Sequence, residues 1–495
     1  MTDRITRRTF VSNMASTAFG FTIVPRHVLG RGFQAPSDTV NVAIVGAGGM
    51  GMSNTQNVVD GKQNIVAIAD VDFGVVDRAL AGRMRNPTPQ STALSEAHRK
   101  AKRHADFRRM LDAERDIDAV LVATPDHTHA IVAKTAMQAG KHVYVQKPLT
   151  WSVRESRVLA DTARRTGVVT QMGNQGHWTE DSLRVNEIVA AGILGPIRDV
   201  HVWTNRPIWP QGVPRPDVLI GRPANVSWNA QGVSQTLAGG MGGTFTTPPT
   251  LNWDLFLGPS KFIPYHPIYH PFNWRGWTDW GVGALGDMGA HLMDHPYMAL
   301  GLTYPTSIES TSTPWGGGNQ EKASYPQSMM VTYRFPARGQ QPPVRMTWYD
   351  GGLLPPRPEL IPYDMKLNRD ASGGVIMIGD RGVMLMGQWG KDPQLYPRTL
   401  HEQAMAVPKT LPRLNPTYTN NWHEMDWIDA IREKRQANSP FSYAAPLTEV
   451  MLLGLVALRA GQGVPVEYDG ANMRVTNIPE ANAFLTREAR SGWDV

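Results

Sequence analysis

The sequence predicts an α/β fold in two parts, a doubly wound parallel sheet followed by an α/β domain with a largely antiparallel, open-faced sheet. Two observations lead to this prediction. From Val40 to about Met172, short apolar runs alternate with stretches of helical character, which is typical of parallel strands joined by crossover helices. Beyond Pro196, segments that alternate apolar and polar residues follow one another through hairpin-like turns, which is typical of antiparallel strands.

The first part contains five apolar runs that are short enough to be buried strands. They are Val40–Val45, Ile65–Ala69, Ala119–Ala123, His142–Val145 and Val168–Met172. The stretches between them predict helices over 95–109, 129–139 and 153–166, and another that begins at a glycine-rich turn after the first strand. We assign residues 37–165 to this domain.

The second part is assigned to residues 166–480, followed by a tail over 481–495. Its predicted strands are 197–203, 328–335, 344–348, 374–378 and 382–386, with a hairpin turn at 379–382 and closing helices near 421–435 and 447–460. Two stretches rich in Pro, Gly and Trp, at about 207–280 and 350–372, are too long for simple connections. We therefore expect them to be functional lids.

Composition excludes several classes of function. The chain has 495 residues, of which 41% are hydrophobic and 19% charged, an ordinary globular composition. Five Arg and one Asp in the first 35 residues account for most of the net charge of +6, so charge gives no support for a nucleic-acid partner. Cysteine is absent, which excludes disulfides, thiolate zinc sites and a cysteine nucleophile. No apolar run approaches the ~20 residues that span a bilayer, so we expect no integral membrane segment.

Residues 1–36 are predicted to be an export leader. The pair Arg7-Arg8 is followed by Phe10 and by a weakly apolar stretch from about Met14 to Val24. A basic start with a short apolar core is typical of a signal, and the paired arginines resemble a twin-arginine (Tat) signal. A disordered basic tail with a chance arginine pair is the alternative. The signal implies the Tat export machinery as a partner and the periplasm or the cell exterior as the destination.

A glycine-rich turn of the form G-x-G-x-x-G joins the first predicted strand to its helix. The first glycine allows a tight turn, the second lets the backbone approach a pyrophosphate, and the third permits close packing of the helix. Asp70 ends the second strand, where a carboxylate can bind the adenosine ribose diol and would repel a 2′-phosphate. We therefore expect a Rossmann dinucleotide-binding domain that prefers NAD to NADP, with a purely structural glycine turn as the alternative. The candidate cofactor-binding residues are Gly46, Gly48, Gly49, Met50, Gly51 and Asp70.

Two polar segments each end a predicted parallel strand, at the sheet edge where such folds bind ligands. They are Thr124-Pro125-Asp126-His127-Thr128-His129, and a run from Gly140-Lys141-His142-Val143 to Gln146-Lys147-Pro148. With the glycine turn, they resemble the glucose–fructose oxidoreductase/inositol dehydrogenase family (Gfo/Idh/MocA), whose members show Thr-Pro…His, Gly-Lys-His-Val and Glu-Lys-Pro. The family's Glu is Gln146 here. The resemblance implies that Lys147 lies beside the substrate and the nicotinamide. It also implies cofactor contacts from Thr124, Pro125, His127, His129, Gln146 and Lys147.

A third motif places Asp287 and His291 four residues apart, and therefore on one face of a helix. A histidine can take a hydroxyl proton as hydride leaves the carbon, and an aspartate within reach can orient it. The pair resembles the family's Asp-x-x-x-His, which implies that Lys147, Asp287 and His291 are catalytic. A capping Asp with a buried His is one alternative, and a metal site with His291 and His295 is another. Pro296 disturbs the helical spacing of that second pair, so we expect no metal.

Aromatic residues are concentrated in the segment 203–280, which holds seven of the 15 tryptophans. Flat rings beside polar groups suit the C–H faces and hydroxyls of sugars, although packing within a long loop or at an oligomer contact also uses such rings. The candidate substrate contacts are Trp203, Asn205, Arg206, Trp209, His270 and Arg275, together with Asn174, Gln175 and His177 after the strand that ends at Met172.

The resemblance covers roughly residues 38–300 and implies hydride transfer at a sugar or cyclitol carbon. It also implies an open sheet that often mediates a homo-oligomer. We expect an exported NAD-dependent oxidoreductase that acts on a carbohydrate substrate, a sugar or glycoside hydroxyl, with a tightly bound cofactor. A redox-neutral NAD-dependent glycosidase that uses the same residues is one alternative. A non-catalytic nucleotide- or sugar-binding protein is the other, and the joint presence of Lys147, Asp287 and His291 counts against it.

Overall fold

The computed structural model describes residues 39–216, 230–315, 322–368 and 370–495. The predicted leader over 1–36 lies outside the described residues, as does the part of the first predicted lid at 217–229. From residue 40 onwards the chain forms a parallel sheet and a larger, mixed sheet.

Six parallel strands form the first sheet: β1 (Asn41–Val45), β2 (Asn64–Ala69), β3 (Lys102–His104), β4 (Ala119–Val122), β5 (His142–Gln146) and β6 (Thr170–Gly173). Its helices are α1 (Gly49–Asp60), α2 (Phe73–Arg83), α3 (Pro89–Lys100), α4 (Phe107–Ala113), α5 (Asp126–Gln138) and α6 (Val153–Thr166). The strands lie in the order β3-β2-β1-β4-β5-β6. The order reverses between β1 and β4, and such a switch point opens a crevice at the carboxyl ends of the strands.

Local sequence accounts for most of these elements. Strands β1 and β4 are continuous apolar runs that are almost entirely buried, as expected for a sheet covered on both faces. Helix α6 begins with a capping box, in which the Ser152 hydroxyl accepts from the Glu155 N–H while the Glu155 carboxylate accepts from the Ser152 N–H. The same helix ends at Gly167, which has φ +68°, a left-handed conformation that favours glycine.

The helix predicted over 95–109 is wrong in its extent. Helix α3 ends at Lys100, because Ala101 is extended (φ −65°, ψ 139°) and residues 102–104 pair with Ala67–Ala69 of β2. Helix α4 then begins after Asp106, whose carboxylate accepts from the Arg108 N–H at 2.9 Å. Pairing with a distant strand overrides the local helical preference of this basic stretch.

The parallel sheet also continues past residue 165, because β6 pairs with β5 from Val143↔Thr170 to Gln146↔Gly173. Nine strands form the second sheet: β7 (Ile197–Thr204), β8 (Ser307–Ser312), β9 (Met329–Phe335), β10 (Val344–Tyr349), β11 (Gly373–Gly379), β12 (Gly382–Gly387), β13 (Gln394–Tyr396), β14 (Val466–Asp469) and β15 (Arg474–Val475). Their order is β13-β12-β11-β7-β10-β9-β8-β14-β15, and every contact is antiparallel except that between β7 and β10. The predicted fold class is therefore confirmed. Strands β8, β13, β14 and β15 have no predicted counterpart, because β8 is largely polar and the others are two to four residues long.

The remaining helices are α7 (Glu180–Ala190), α8 (Ala230–Gly240), α9 (Trp253–Leu257), α10 (Gly283–Leu292), α11 (Asp294–Ala299), α12 (Arg398–Met405), α13 (Trp422–Glu433) and α14 (Phe441–Ala460). Helix α14 starts at Phe441 rather than near 447 and includes Pro446. Within the described part of the chain, α14 is long and apolar enough to cross a membrane, but 83% of its most apolar window is buried inside the protein. That burial is typical of a core helix.

Much of the predicted lid at 207–280 forms a small core of its own. The residues that share it are Leu251, Trp253, Phe256, Leu257, Ile263, Tyr269, Trp274, Trp277 and Trp280. The segment is joined to the parallel-sheet domain through Asp72, which forms an isolated β-bridge with Leu251 and accepts a hydrogen bond from the Thr250 hydroxyl at 2.7 Å. Most of the predicted aromatic cluster therefore packs on itself, and this core is held beside the first sheet.

Candidate active site

A cavity of about 440 Å³ opens at the carboxyl ends of β1, β2, β4 and β5. The parallel-sheet domain lines it with Gly46, Gly48, Gly49, Met50, Asp70, Thr124, Pro125, Asp126, Gln146 and Lys147. The aromatic segment contributes Leu255, Phe256, His270, Phe272, Trp274 and Arg275, and Asp287 and Trp493 complete the main part of the wall. The cavity thus lies where the strand order predicts a ligand.

The glycine turn has the geometry that its sequence predicts. Gly46 has φ +83°, and an added Cβ would lie 2.7 Å from the carbonyl carbon of Ala123. A Cβ at Gly51 would lie 1.8 Å from the Gly46 carbonyl oxygen, so this glycine lets α1 pack against the end of β1. No side chain of the described residues caps α1. Its first backbone N–H groups are therefore available to an anion.

The Asp70 carboxylate ends β2 and lines the cavity. Its Oδ2 accepts a hydrogen bond from the Ala47 N–H at 2.7 Å, and its Oδ1 accepts one from the Asp72 N–H at 2.8 Å. Burial raises the pKa of Asp70 to about 6, although both hydrogen bonds favour the ionised form. The carboxylate is held at the position expected of a ribose-binding acid. Burial makes its ionisation cost more free energy than it would in water.

His127 and His129, predicted to contact the cofactor, lie in α5 with ring nitrogens close to backbone carbonyls. Both are buried, and neither lines the cavity. The Nε2 of His127 lies 2.8 Å from the carbonyl oxygen of Phe256, while the ring nitrogens of His129 lie 2.7 and 2.8 Å from the carbonyl oxygens of Pro148 and Thr124. His129 therefore fixes the backbone that follows β4 and β5, whereas His127 joins α5 to α9.

Gln146 stands where the family has Glu. Its Nε2 donates to Asn54 Oδ1 at 2.9 Å, and the Asn54 amide donates in turn to Glu424. Burial raises the pKa of Glu424 to about 7. A Glu at position 146 would add a second buried carboxylate to this chain of hydrogen bonds. The neutral amide of Gln146 avoids repulsion between that carboxylate and Glu424.

Lys147 and Asp287 form an ion pair at the cavity wall, with Nζ 2.8 Å from Oδ1. The Arg206 Nε donates to the other carboxylate oxygen at 3.1 Å. Burial opposes ionisation of Asp287, but the positive charges of Lys147 and Arg275 outweigh it and hold the pKa of Asp287 well below its usual range. Two direct cationic partners for one carboxylate leave net positive charge here, which suits an oxygen that gains negative charge.

His291 lies one turn after Asp287 on α10, but its hydrogen-bond partner is a different residue. The indole Nε1–H of Trp389 donates to His291 Nδ1 at 3.2 Å, whereas both Asp287 oxygens are bonded to Lys147 and Arg206. This corrects the expectation that Asp287 orients His291. Burial lowers the pKa of His291 to about 3, and the Lys147 charge acts in the same direction. Since Nδ1 is an acceptor, the neutral ring carries its proton on Nε2.

Trp389 is a residue that the sequence patterns did not indicate. It has φ +66° and its side chain is 40% exposed. A Cβ at Gly176 would lie 2.2 Å from the indole Cδ1, so glycine at that position leaves room for the ring. The indole therefore covers the acceptor nitrogen of His291 from an exposed position.

Two of the predicted substrate contacts line the cavity, and two others lie beside it. Arg275 and His270 line it, and His270 Nε2 lies 3.0 Å from Asp72 Oδ2. Arg206 binds Asp287 and also donates to the Asn205 amide oxygen at 2.7 Å, so Asn205 acts on the cavity through Arg206. These side chains remain candidate substrate contacts.

The other predicted substrate contacts are engaged elsewhere and do not line the cavity. Trp203 is buried in the second sheet, and the Trp209 indole donates to Gln211 at 2.9 Å. His177 and Asn174 bind the buried Asp294, at 2.9 and 3.2 Å, and Gln175 does not line the cavity either. The chain after β6 turns towards α11 rather than towards the cavity.

Asp126 lines the cavity but was not in the predicted set. It is the first residue of α5, its Oδ2 accepts from the Val282 N–H at 3.1 Å, and burial raises its pKa to about 7. Its place directly after Thr124-Pro125 is a signal that sequence reasoning could have used. Within the described ranges, no group of three or more His, Asp or Glu side chains could hold a metal ion.

These features define the class of the protein: a doubly wound domain with a glycine turn after β1 and an acidic residue at the end of β2 is typical of dinucleotide-binding proteins. Residues 40–174 match the model of the GFO_IDH_MocA oxidoreductase family, NAD-binding Rossmann fold, and residues 217–315 match that family's C-terminal alpha/beta domain. The two matched stretches together cover a little under half of the 495 residues, and over them the chain is similar to this oxidoreductase family.

Curated proteins of similar sequence are described as glycosyl hydrolases rather than as oxidoreductases. A glycosyl hydrolase family 109 protein of Shewanella sp. (strain W3-18-1) is 29% identical over 199 residues, which are 39% of this chain and 42% of that protein. The match thus spans less than half the length of the curated relative.

Solved structures share the fold. The WlbA dehydrogenase from Bordetella pertussis, in complex with NADH and UDP-GlcNAcA, has a TM-score of 0.53 at 14% identity and covers 87% of this chain and 99% of its own. A levoglucosan dehydrogenase in complex with NADH and L-sorbose has a TM-score of 0.50 at 16% identity, with 87% and 99% coverage. At these identities the likeness concerns the fold.

The residues around the cavity fit NAD. The glycine turn offers uncapped N–H groups for a pyrophosphate, and Asp70 is in place for a ribose diol. Two residues of the cavity wall, Thr124 and Gln146, each have a buried side-chain oxygen without a hydrogen-bond partner within the described part of the chain. Buried polar atoms without partners at a cavity wall are the atoms that a bound polar molecule would satisfy.

Proposed function

We propose that the protein is a NAD-dependent oxidoreductase that oxidises a hydroxyl-bearing carbon of a sugar or glycoside. The observation that carries this proposal is the Lys147–Asp287–Arg206 cluster, which lies at the end of β5 in the same cavity as the glycine turn. NAD, when bound, supplies the hydride acceptor. The sugar ligands of the two dehydrogenases with the same fold support a carbohydrate substrate.

The roles of the side chains follow from their contacts. Lys147 donates a hydrogen bond to the substrate hydroxyl oxygen and stabilises negative charge on it, while Asp287 holds Lys147 in place. His291 does not line the cavity, and the low pKa that keeps its ring neutral also makes Nδ1 a weak base, so the substrate has to reach Nδ1 before His291 can take the hydroxyl proton. That atom accepts the Trp389 indole N–H, so Trp389 must release it first.

Product analysis tests the reaction. Purified protein is incubated with a panel of free sugars and glycosides, and the products are identified by mass. The proposal expects a keto-sugar that is two mass units lighter than its substrate. Failure to oxidise any carbohydrate, with NAD bound, would contradict it.

A redox-neutral glycosidase is the second candidate, and the relatives described as glycosyl hydrolase family 109 proteins favour it. In that case oxidation of a ring carbon is followed by elimination of the aglycone, addition of water and reduction, so the oxidation state does not change. The same incubation distinguishes the two functions, because this one releases an aglycone and a sugar of unchanged oxidation state.

The choice of NAD over NADP rests on Asp70, whose carboxylate would lie against a 2′-phosphate. We further propose that the protein leaves the cytoplasm through the Tat pathway after binding NAD, and that it forms a homo-oligomer. A folded protein can carry the cofactor across, but dilution outside would remove a loosely held nucleotide. Slow release at ordinary association rates of ~10⁵–10⁷ M⁻¹s⁻¹ then requires tight affinity.

Three measurements test the tight binding of NAD, the export and the oligomeric state. Protein purified without added nucleotide is expected to contain near-stoichiometric NAD. The bound NADH must be reoxidised in place, either by a second, reducible substrate or within a redox-neutral cycle, so added NAD should change turnover little. An empty protein whose rate rises in proportion to added NAD would contradict tight binding. Replacing Arg7 and Arg8 by Lys should leave the protein in the cytoplasmic fraction, and sedimentation of the purified protein reports the oligomer.

A further inference from the structure

The segment 486–495, which we call the clasp, reaches the cavity from a part of the chain far from the glycine turn. Its Trp493 is 6% exposed and lines the cavity together with Asp106 and Phe107, which follow β3. The ring centroids of Trp493 and Phe107 are 6.3 Å apart. Val132, Leu255 and Phe256 also line the cavity, so apolar side chains are concentrated in its wall.

The strand order shows which end of the cavity this is. Lys147 follows β5 and Phe107 follows β3, and four strand spacings separate β3 from β5, about 19 Å at ~4.8 Å each. The glycine turn follows β1, between these two strands, and Asp70 ends β2 on the β3 side. A dinucleotide with its pyrophosphate at the turn and its nicotinamide at Lys147 must place its adenosine on the β2–β3 side.

Three arginines fasten the clasp to separate elements. Arg490 donates to the Gly258 carbonyl at 2.8 Å and to the Asp254 carboxylate at 2.6 Å, which ties the clasp to α9 and the residue after it. Arg487 pairs with Glu155 at 2.8 Å on α6.

The third arginine, Arg108, lies with its guanidinium carbon 4.4 Å from the centre of the Trp493 ring. It is held by the Asp106 carboxylate at 2.8 Å. The indole is thus fixed from several sides while it also borders the cavity.

We propose that the clasp forms the adenine subsite, with the Trp493 indole against the adenine ring of NAD. The inference rests on NAD binding by this domain and not on the substrate. An apolar, immobilised indole at the adenosine end supplies base stacking, and closing this end slows the escape of the nucleotide. Trp493 is then a cofactor-binding residue, and Arg490 is a positioning residue for it.

Calorimetry on nucleotide-free protein tests the subsite with three probes: NAD, ADP-ribose and nicotinamide mononucleotide. Trp493→Ala should weaken NAD and ADP-ribose by ~10-fold or more, since stacking on one ring typically has that effect, and should leave nicotinamide mononucleotide unchanged. Trp493→Phe keeps an aromatic ring and should recover most of the affinity. Trp315→Ala, a half-buried tryptophan that does not line the cavity, is the matched control and should bind all three probes normally.

A second variant leaves the ring in place. Arg490→Gln should release bound NAD several-fold faster in a chase with labelled NAD. Unchanged affinities in Trp493→Ala, or an equal loss for all three probes, would overturn the adenine subsite while leaving the proposed reaction standing. Wild-type protein that binds neither NAD nor ADP-ribose would overturn both.

Discussion

Replacing Asp70 by Asn isolates the free energy of ionising a partly buried carboxylate beside the glycine turn. Burial raises the pKa of Asp70 from 3.8 to about 6. Because the folded state holds the proton more tightly than the unfolded state, this group's contribution to stability is fully present below about pH 4 and is lost as the pH rises through 6. The difference in pKa corresponds to at most about 3 kcal/mol of the free energy of unfolding at pH 8.

The assay compares urea unfolding of nucleotide-free wild type and Asp70→Asn at pH 4, 6 and 8. The amide cannot accept from both the Ala47 and the Asp72 N–H groups, so the variant also loses about 1–3 kcal/mol at every pH. The informative quantity is therefore the change with pH. The variant should gain about 2–3 kcal/mol relative to wild type between pH 4 and pH 8. Asp112→Asn, on an exposed residue of α4, is the matched control. A difference that stays constant with pH would refute the reasoning.

The same substitution should weaken binding of the cofactor, although it removes the free-energy cost of ionising Asp70 at high pH. Asp70→Asn, like Asp70→Ala, should weaken NAD by ~1–3 kcal/mol, because charge-assisted hydrogen bonds to the ribose are lost. NADP should lose less or gain. If calorimetry finds both cofactors unchanged, Asp70 is not the ribose ligand.

The remaining predictions concern the reacting end of the cavity. Lys147→Ala and His291→Ala should each lower kcat by ~10²-fold or more and leave NAD affinity within a few-fold; an active His291→Ala enzyme with an unshifted pH profile would remove His291 from the mechanism. Asp287→Asn should be milder and should shift the pH profile, because Lys147 loses its ionised partner. Trp389→Phe removes the N–H that stabilises neutral His291, so the pKa seen in kcat/KM should rise, and an unchanged profile would show that the indole bond has no role. Chelators should leave activity intact, whereas zinc lost together with activity would support a metal site.

Local pattern was enough to predict the architecture. The apolar runs of β1, β2, β4 and β5 and the five predicted strands of the second sheet have side-chain periods that are visible within a few residues. The positions of Gly46, Asp70 and Lys147 also followed from sequence, because the carboxyl ends of parallel strands meet at one edge of the sheet. Strand β3 was missed for the converse reason, since residues 102–104 are extended only because β2 lies beside them.

What the tertiary structure alone decided is which side chains meet across long separations in the chain. Asp287 was paired with His291 from their spacing on one helix, but its carboxylate instead binds Lys147, 140 residues away in sequence, and His291 meets Trp389, 98 residues away. His127 and His129 carry the motif's residue types yet bind backbone carbonyls, and Trp493 reaches the cavity through contacts with Arg108. Periodicity and motif spacing encode the face of an element on which a residue lies. They do not encode the partner, which depends on how the aromatic segment, the second sheet and the clasp pack against the first sheet.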